Sequence, residues 1–328
     1  MTGERVRITD VSPRDGLQNE PGVIPTAEKV ELVRLLCETG VDEVEVTSFV
    51  SPKWVPQLGD GAEVFLALGR LFRHEGCGER NGVWSALVPN ERGMHAALAV
   101  NDTAGTQLVD AVSVFTAASE TFSRRNTNAS IAGAIERFKP VKQMALGRNM
   151  PVRGYVSCAI ACPFEGPQAP ERVLDISRQL VVIGVDEIDL ADTIGAGTVE
   201  SMRALLGAFQ RGQGSFWEFC AVRPGARAPR LTLHLHDTFG RAAECVKVAL
   251  DMGVRSFDGA VSGLGGCPYA STPGRRAPGN ISTQTLVRTI HDAGYTTGVD
   301  LDKLELAGRF ATKIVSDARA RAASGGDA

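Results

Sequence analysis

The stretch "LHLHDTFG" at 233–240 places His234 and His236 two residues apart in a chain that has only five histidines. Leu231, Leu233 and Leu235 alternate with Thr232, His234 and His236, which is the period of a β-strand, so both imidazoles leave the same face and converge on one point. A single histidine is more often a satisfied core or surface residue, but a His-x-His pair on one strand face is a common metal-ligand geometry. A carboxylate to complete the pair is Asp15 in "SPRDGLQNE" (12–20), with Arg14 beside it. Taken alone, Asp15 before Gly16 reads as a turn residue and Arg14 as a surface charge. Beside two histidines, Asp15 becomes a ligand and Arg14 a planar clamp for an anion. Two neutral imidazoles, one carboxylate and a neutral oxygen suit a divalent ion with open positions, Mg2+ or Mn2+, whereas structural zinc closes a set of four.

These residues need a scaffold that gathers them. Short apolar runs at Val6–Thr9, Glu43–Thr47, Trp84–Val88, Ala111–Phe115, Val152–Ser157, Glu187–Leu190, Leu231–His236 and Ser256–Ala260 alternate with helical stretches such as "TAEKVELVRLLCETG" and "GRAAECVKVALDMG". Eight strand-helix units predict a (β/α)8 TIM barrel, with the C-terminal remainder as additional helical elements. A doubly wound open sheet is the alternative, but no Gly-x-Gly-x-x-Gly follows the first strand. The polar clusters support the barrel. "SPRDGLQNE", "EVTSF" (45–49), "AASETFSRRN" (117–126), "YVSC" (155–158), "ADTIG" (191–195), the two histidines and "GLGGCPYA" (263–270) all fall at the C-terminal ends of strands, where such barrels build their sites. The whole chain is expected to be one domain. A Gly-, Pro- and Arg-rich insertion at about 211–230 precedes the seventh strand, and a flexible tail is expected over about 320–328.

Composition narrows the partners. The chain has 328 residues, 35 basic against 38 acidic, and no basic block or acidic tail, which argues against nucleic acid and leaves a small dissolved substrate. No run reaches the roughly 18 apolar residues of a membrane span. The opening "MTGERVRITD" enters a strand at once, without the pattern of a signal or transit peptide, so a cytoplasmic location is expected. Seven scattered cysteines do not form a disulfide framework, and Cys158 and Cys162 lack the second pair of a zinc site, so a packing role is expected for them.

Six segments together, "SPRDGLQNE", "TSFVSPKWVPQLGD" (47–60), "RGYVSCAIACPFEG" (153–166), "ADTIGAGT" (191–198), "LHLHDTFG" and "AVSGLGGCPYA" (260–270), resemble the 3-hydroxy-3-methylglutaryl-CoA lyase family, metal-dependent TIM-barrel lyases related to Claisen-type synthases. The resemblance runs from about residue 5 to about residue 310. It implies metal ligands Asp15, His234, His236 and Asn280, with Arg14 on the thioester and enolate oxygen. It further implies a catalytic thiol, Cys267, on a mobile glycine-rich loop, and Glu45 and Asp192 completing the acid/base and hydroxyl-binding shell. The implied reaction is a retro-Claisen cleavage of an acyl-CoA substrate to acetyl-CoA and acetoacetate, by a homo-oligomer, most simply a dimer. Carboxylate Asp192 or the His234 imidazole would accept the hydroxyl proton, and Gly263, Gly265 and Gly266 would let the loop close.

Two departures from the family pattern bear on the substrate. "STPGRRAPGN" (271–280) lengthens the Cys267-to-Asn280 stretch and puts Arg275 and Arg276 within possible reach of CoA phosphates, and Gln284 stands where the family usually has Glu. A longer-chain 3-hydroxyglutaryl-CoA homologue is therefore an alternative substrate. A Claisen-type condensing enzyme and an inactive acyl-CoA-binding barrel are the alternative functions.

Overall fold

A computed structural model of the chain describes residues 3–74, 80–210, 216, 220, 229–266 and 278–324. Eight parallel strands close into a barrel: β1 (Arg7–Asp10), β2 (Glu43–Ser48), β3 (Val83–Leu87), β4 (Ala111–Ala117), β5 (Val152–Ser157), β6 (Glu187–Asp192), β7 (Arg230–Leu235) and β8 (Ser256–Gly259). Each strand pairs with its sequence neighbours, and β8 closes on β1 through pairs such as Ile8 with Phe257. The strands lie where the periodicity predicts them, with no end displaced by more than two residues. His236 sits just past β7, in an isolated bridge to Asn280.

Outside the barrel run α1 (Thr26–Glu38), α2 (Gly61–His74), α3 (Glu91–Ala104), α4 (Glu120–Thr127), α5 (Ile131–Leu146), α6 (Pro170–Ile183), α7 (Val199–Gln210), α8 (Ala242–Asp251), α9 (Thr283–Asp292) and α10 (Leu301–Ser324). Side-chain caps set several of their starts: Asn90, Ser119, Ser130 and Ser282 each accept a backbone N–H of the first turn. A two-stranded hairpin, Ala161–Cys162 with Gly166–Pro167, is inserted between β5 and α6. Cys158 and Cys162 are packed there with Ala117 and Phe122, as expected of structural thiols. Among the described residues no helix is long and apolar enough to cross a membrane.

The hydrophobic core is a shell between strands and helices. Ile8, Val44, Val46, Trp84, Ala86, Val112, Val114, Val152, Ile188, Leu190, Leu233 and Phe257 are buried in it. The alternate residues of the same strands are polar: Thr9, Glu43, Glu45, Ser85, Ser113, Arg153, Tyr155, Glu187, Asp189, Thr232, His234 and Asp258, all buried. Period two therefore puts one apolar face outward and one hydrogen-bonded polar face into the bore. This departs from barrels filled with branched aliphatic side chains.

The final helix joins both ends of the chain. It continues through Ser324, past the point near 320 where the tail was expected to begin. Arg319 Nε and Nη2 donate to Glu20 at 2.8 and 3.0 Å, and Ser262 Oγ donates to the Gly308 carbonyl at 3.0 Å. Gly22 lies so close to α10 that a β-carbon on it would meet the Ala318 carbonyl oxygen at 1.9 Å. Thus α10 rests on the segment after β1 and on the turn after β8, the two segments that flank Asp15 and Asn280.

Candidate active site

The turn after β1 is a single π-helical turn, Ser12–Gly16, started by Pro13 near its N-terminus. It carries Arg14 and Asp15 into the mouth of the barrel. There Asp15, His234 and His236 bring one ligand atom each within 4.8 Å of one another. Nε2 of each imidazole is 3.9 Å from Asp15 Oδ2, and the ring centroids are 5.4 Å apart. Asn280 joins them by donating from Nδ2 to Asp15 Oδ2 at 2.8 Å and to the Leu264 carbonyl at 3.0 Å. Four residues named from the sequence thus meet in one place.

Arg14 is nearly buried. Its Nε and Nη2 both reach Glu45 Oε2 at 2.5 Å, and its Nη1 reaches Asp15 Oδ1 at 2.6 Å. The other oxygen of Glu45 accepts from the Ser113 hydroxyl at 2.5 Å. Glu45 is therefore a holder of Arg14 as well as a wall of the site. Burial opposes the Arg14 charge, but Glu45 and Asp15 outweigh it and push its pKa up, so the guanidinium stays charged.

The charge states suit metal binding. Burial alone would raise the pKa of Asp15, yet Arg14 and the two imidazoles hold it well below the usual carboxylate range. Burial, with His234 and Arg14 adding to it, lowers the pKa of His236 to about 4, so its imidazole is neutral with a lone pair to give. Two buried polar atoms here, His236 Nδ1 and Asn280 Oδ1, have no hydrogen-bond partner among the described residues. A carboxylate, two imidazoles and an uncommitted carboxamide oxygen form a donor set that fits a divalent cation.

Asp192 ends β6 close by. The backbone N–H of His236 meets its carbonyl at 3.4 Å. Its carboxylate turns into its own loop, accepting from Ala196 N at 3.0 Å and Gly197 N at 2.7 Å, and burial raises its pKa to about 6 despite those contacts. Cys267, Arg275 and Arg276 lie outside the described residues. At the root of that loop Gly263, Gly265 and Gly266 all have positive φ, a conformation that favours glycine. Gln284 lies below the same root, its Oε1 accepting from Ser262 N at 3.1 Å.

A layer beneath the site went unread in the sequence. His234 Nδ1 is 3.2 Å from Asp258 Oδ2, and Arg153 reaches Asp258 at 3.0 Å, Glu187 at 3.0 Å, Glu43 at 3.2 Å and Asp189 at 3.5 Å. Tyr155 spans the two layers, with its hydroxyl 3.3 Å from Glu45 and 3.2 Å from Asp258. Burial and the neighbouring Asp258 push Asp189 far up. Burial works against Asp258 too, but Arg153 and His234 hold it down, so the proton of this pair rests on Asp189. The signal was the alternation in "VRGYVS" and "EIDLAD", the same pattern that exposed the histidines.

The model of the HMGL-like family matches residues 5–310. The chain belongs to that family. Among its curated family relatives, the rat protein named cytoplasmic 3-hydroxy-3-methylglutaryl-CoA (HMG-CoA) lyase is 42% identical over 313 residues, 95% of this chain and 82% of that one. The chicken mitochondrial hydroxymethylglutaryl-CoA lyase is 43% identical over 308 residues, covering 94% and 92%. Among solved family structures, the HMG-CoA lyase of Brucella melitensis superposes with a TM-score of 0.81 at 41% identity, covering 96% of this chain and 100% of that one. An HMG-CoA lyase from Acinetobacter baumannii, in complex with coenzyme A and 3-methylmalate, gives a TM-score of 0.79 at 31% identity, covering 99% and 96%. The TIM barrel expected from the sequence is the family's fold in this chain.

Proposed function

We propose that this enzyme cleaves HMG-CoA to acetyl-CoA and acetoacetate, and that it requires a divalent cation, Mg2+ or Mn2+. The observation that carries the reading is the junction of two groups at the barrel mouth: Asp15, His234 and His236 within reach of one ion, and Arg14 held beside them by Glu45. The names of the relatives agree with it.

The reaction needs the C3 hydroxyl to lose a proton, the C2–C3 bond to break to a ketone, and the thioester enolate to be stabilised until C2 gains a proton. Asp15, His234, His236 and the Asn280 carboxamide would hold the ion. When bound there, it lowers the energy of a nearby alkoxide as a Lewis acid. Arg14 presents a charged, planar donor group for the developing enolate oxygen, and Glu45 keeps that group aligned before substrate arrives. Asp192, with a carboxyl pKa near 6, has a proton affinity suited to accepting the hydroxyl proton, but both its oxygens are held by the Ala196 and Gly197 N–H groups of its own loop, so in that role it would have to turn toward the site. His234 is engaged on both sides as well, at Asp258 through Nδ1 and at the Asp15 face through Nε2, and is the other candidate for that task. Cys267 is assigned the proton transfer at C2, with Gly263, Gly265 and Gly266 as the hinge of its loop.

The test is acetyl-CoA release from HMG-CoA by chelator-treated protein, before and after Mn2+ or Mg2+ is restored. Release that needs the ion and yields acetoacetate in equal amount supports the proposal. Full release in chelator would remove the metal, and no release under any ion would remove the substrate.

A further inference from the structure

Asp258 is buried beneath the site, and the polar groups around its two oxygens are Arg153, Tyr155, His234 and the proton-bearing Asp189, each a donor or able to act as one. Arg153 Nη1 reaches Oδ1 at 3.0 Å and Oδ2 at 3.2 Å, the Tyr155 hydroxyl lies 3.2 Å from Oδ2, and His234 Nδ1 lies 3.2 Å from the same oxygen. The guanidinium can only donate. The Tyr155 oxygen itself receives Arg153 Nη1 at 3.2 Å, so its single proton points onward, to Asp258 or to Glu45. An acceptor so surrounded has one way to satisfy an imidazole nitrogen, which is to take a proton from it.

We propose that Asp258 is the positioning residue of His234: anchored by Arg153, its carboxylate accepts Nδ1–H and fixes the tautomer whose Nε2 lone pair faces Asp15 and His236. The inference deepens the function proposed above and rests on its assignment of His234 as a ligand. The geometry around the ring supports it. His234 Nε2 is the nitrogen 3.9 Å from Asp15 Oδ2, and the ring stands edge-on to Tyr155 with centroids 5.9 Å apart and planes at 86°. One nitrogen thus faces the ligand group and the other the carboxylate, which leaves the ring no alternative orientation that keeps both contacts. His236 has no such partner, because its Nδ1 is buried without one among the described residues. The two imidazoles are therefore unequal, one braced and one not. Arg153 stands one step further back: it is nearly buried and also held by Glu43 and Glu187, so it locates Asp258 within the bore.

The primary experiment needs no variant. In metal-free protein labelled with 15N in histidine, near neutral pH, the His234 signals are identified as those lost in His234→Ala. The expected spectrum shows Nδ1 as the nitrogen that keeps its proton when the ring is neutral; a bare Nδ1 in the neutral ring would overturn the proposal. In the full chain, Asp258→Asn is expected to weaken Mn2+ binding, read by calorimetry without substrate, by about 10–100-fold. Asp258→Glu, which restores the acceptor, is expected to recover part of that loss. Unchanged Mn2+ affinity and an unchanged tautomer in a folded Asp258→Asn variant would also overturn it. Both readouts are independent of turnover. A chain that shows the expected tautomer and binds Mn2+ through His234, but leaves HMG-CoA intact, would refute the proposed substrate and leave this inference standing.

Discussion

Arg14 meets one oxygen of Glu45, Oε2, with both its Nε and its Nη2 at 2.5 Å, while its Nη1 holds Asp15 at 2.6 Å. The fork is thus fixed at both ends by carboxylates, and its plane is set before any ligand binds. A lysine keeps the charge but offers a compact ammonium that cannot satisfy both carboxylates in that plane. Arg14→Lys is expected to bind HMG-CoA with KM changed only a few-fold while kcat falls by about 100-fold, the scale of losing an oxyanion donor. Steady-state kinetics decide it, and an unchanged kcat would take Arg14 out of the chemistry.

His234→Ala and His236→Ala are each expected to fold and to lose most Mn2+ binding and metal-dependent cleavage, because each removes one of the three carboxylate and imidazole ligands brought together among the described residues. Calorimetric titration with Mn2+ measures the first effect and acetyl-CoA release the second. Two variants with wild-type affinity would dissolve the assignment of this trio.

A pH effect on stability follows from Asp10. Burial raises its pKa from 3.8 to about 6, although Ser12 N donates to Oδ1 at 2.9 Å and the Thr283 hydroxyl to Oδ2 at 2.6 Å. Between those two values the folded chain holds a proton that the unfolded chain has lost, so unfolding free energy falls as pH rises through the window. The cost above it is on the order of 3 kcal/mol from Asp10 alone. Asp192, also raised to about 6 by burial, works in the same direction. Asp10→Asn keeps an acceptor for Ser12 and lets the Thr283 hydroxyl turn to accept. This variant is expected to be more stable than wild type above pH 6 and to show a shallower pH slope, as read from urea midpoints of metal-free protein.

Gly265 has φ +101°, and a β-carbon on it would come within 2.7 Å of Asn280 Nδ2 and 3.3 Å of Asp15 Oδ2. Gly265→Ala therefore has to displace Asn280, since both the backbone conformation and the space exclude the methyl group. The expected result is weaker Mn2+ binding and lower kcat, with the thermal midpoint lowered by only a few degrees. Wild-type Mn2+ affinity in this variant would show that Asn280 is not needed to hold the ion.

The sequence exposed those parts of the site that obey a local period. His234 and His236 alternate with leucines on one strand, and Arg14 and Asp15 follow directly on another, so their convergence needed only the barrel topology. Asn280 is distant in sequence from its bridge partner His236, and no local pattern joins them; it came from the family resemblance. Arg153, Glu187, Asp189 and Asp258 obey the same strand period, but barrel interiors are commonly filled with branched aliphatic side chains and charged residues are seldom fully buried, so nothing local marks these four as facing the bore. Asp192 shows the opposite effect. Its type and place at a strand end suggest a group facing the site, yet it is out of phase with Glu187 and Asp189, and its carboxylate binds the N–H groups of Ala196 and Gly197. Local phase, more than residue type, decided which side chains share the bore.

The contact of α10 with both flanking segments has a consequence for how the protein is made. A ribosome delivers the Asp15 turn early and α10 after every other element named here. Until then, Ala307, Ala311, Ile314, Val315 and Ala318, all buried in the finished fold, have not arrived to cover the apolar surface they pack on, and Glu20 lacks Arg319. A nascent chain halted before α10 is thus expected to expose a greasy seam beside Asp15 and Asn280, a feature that chaperones and proteases recognise. Ordering of the Asp15 turn and of the segment that carries Asn280 is then expected to follow synthesis of α10.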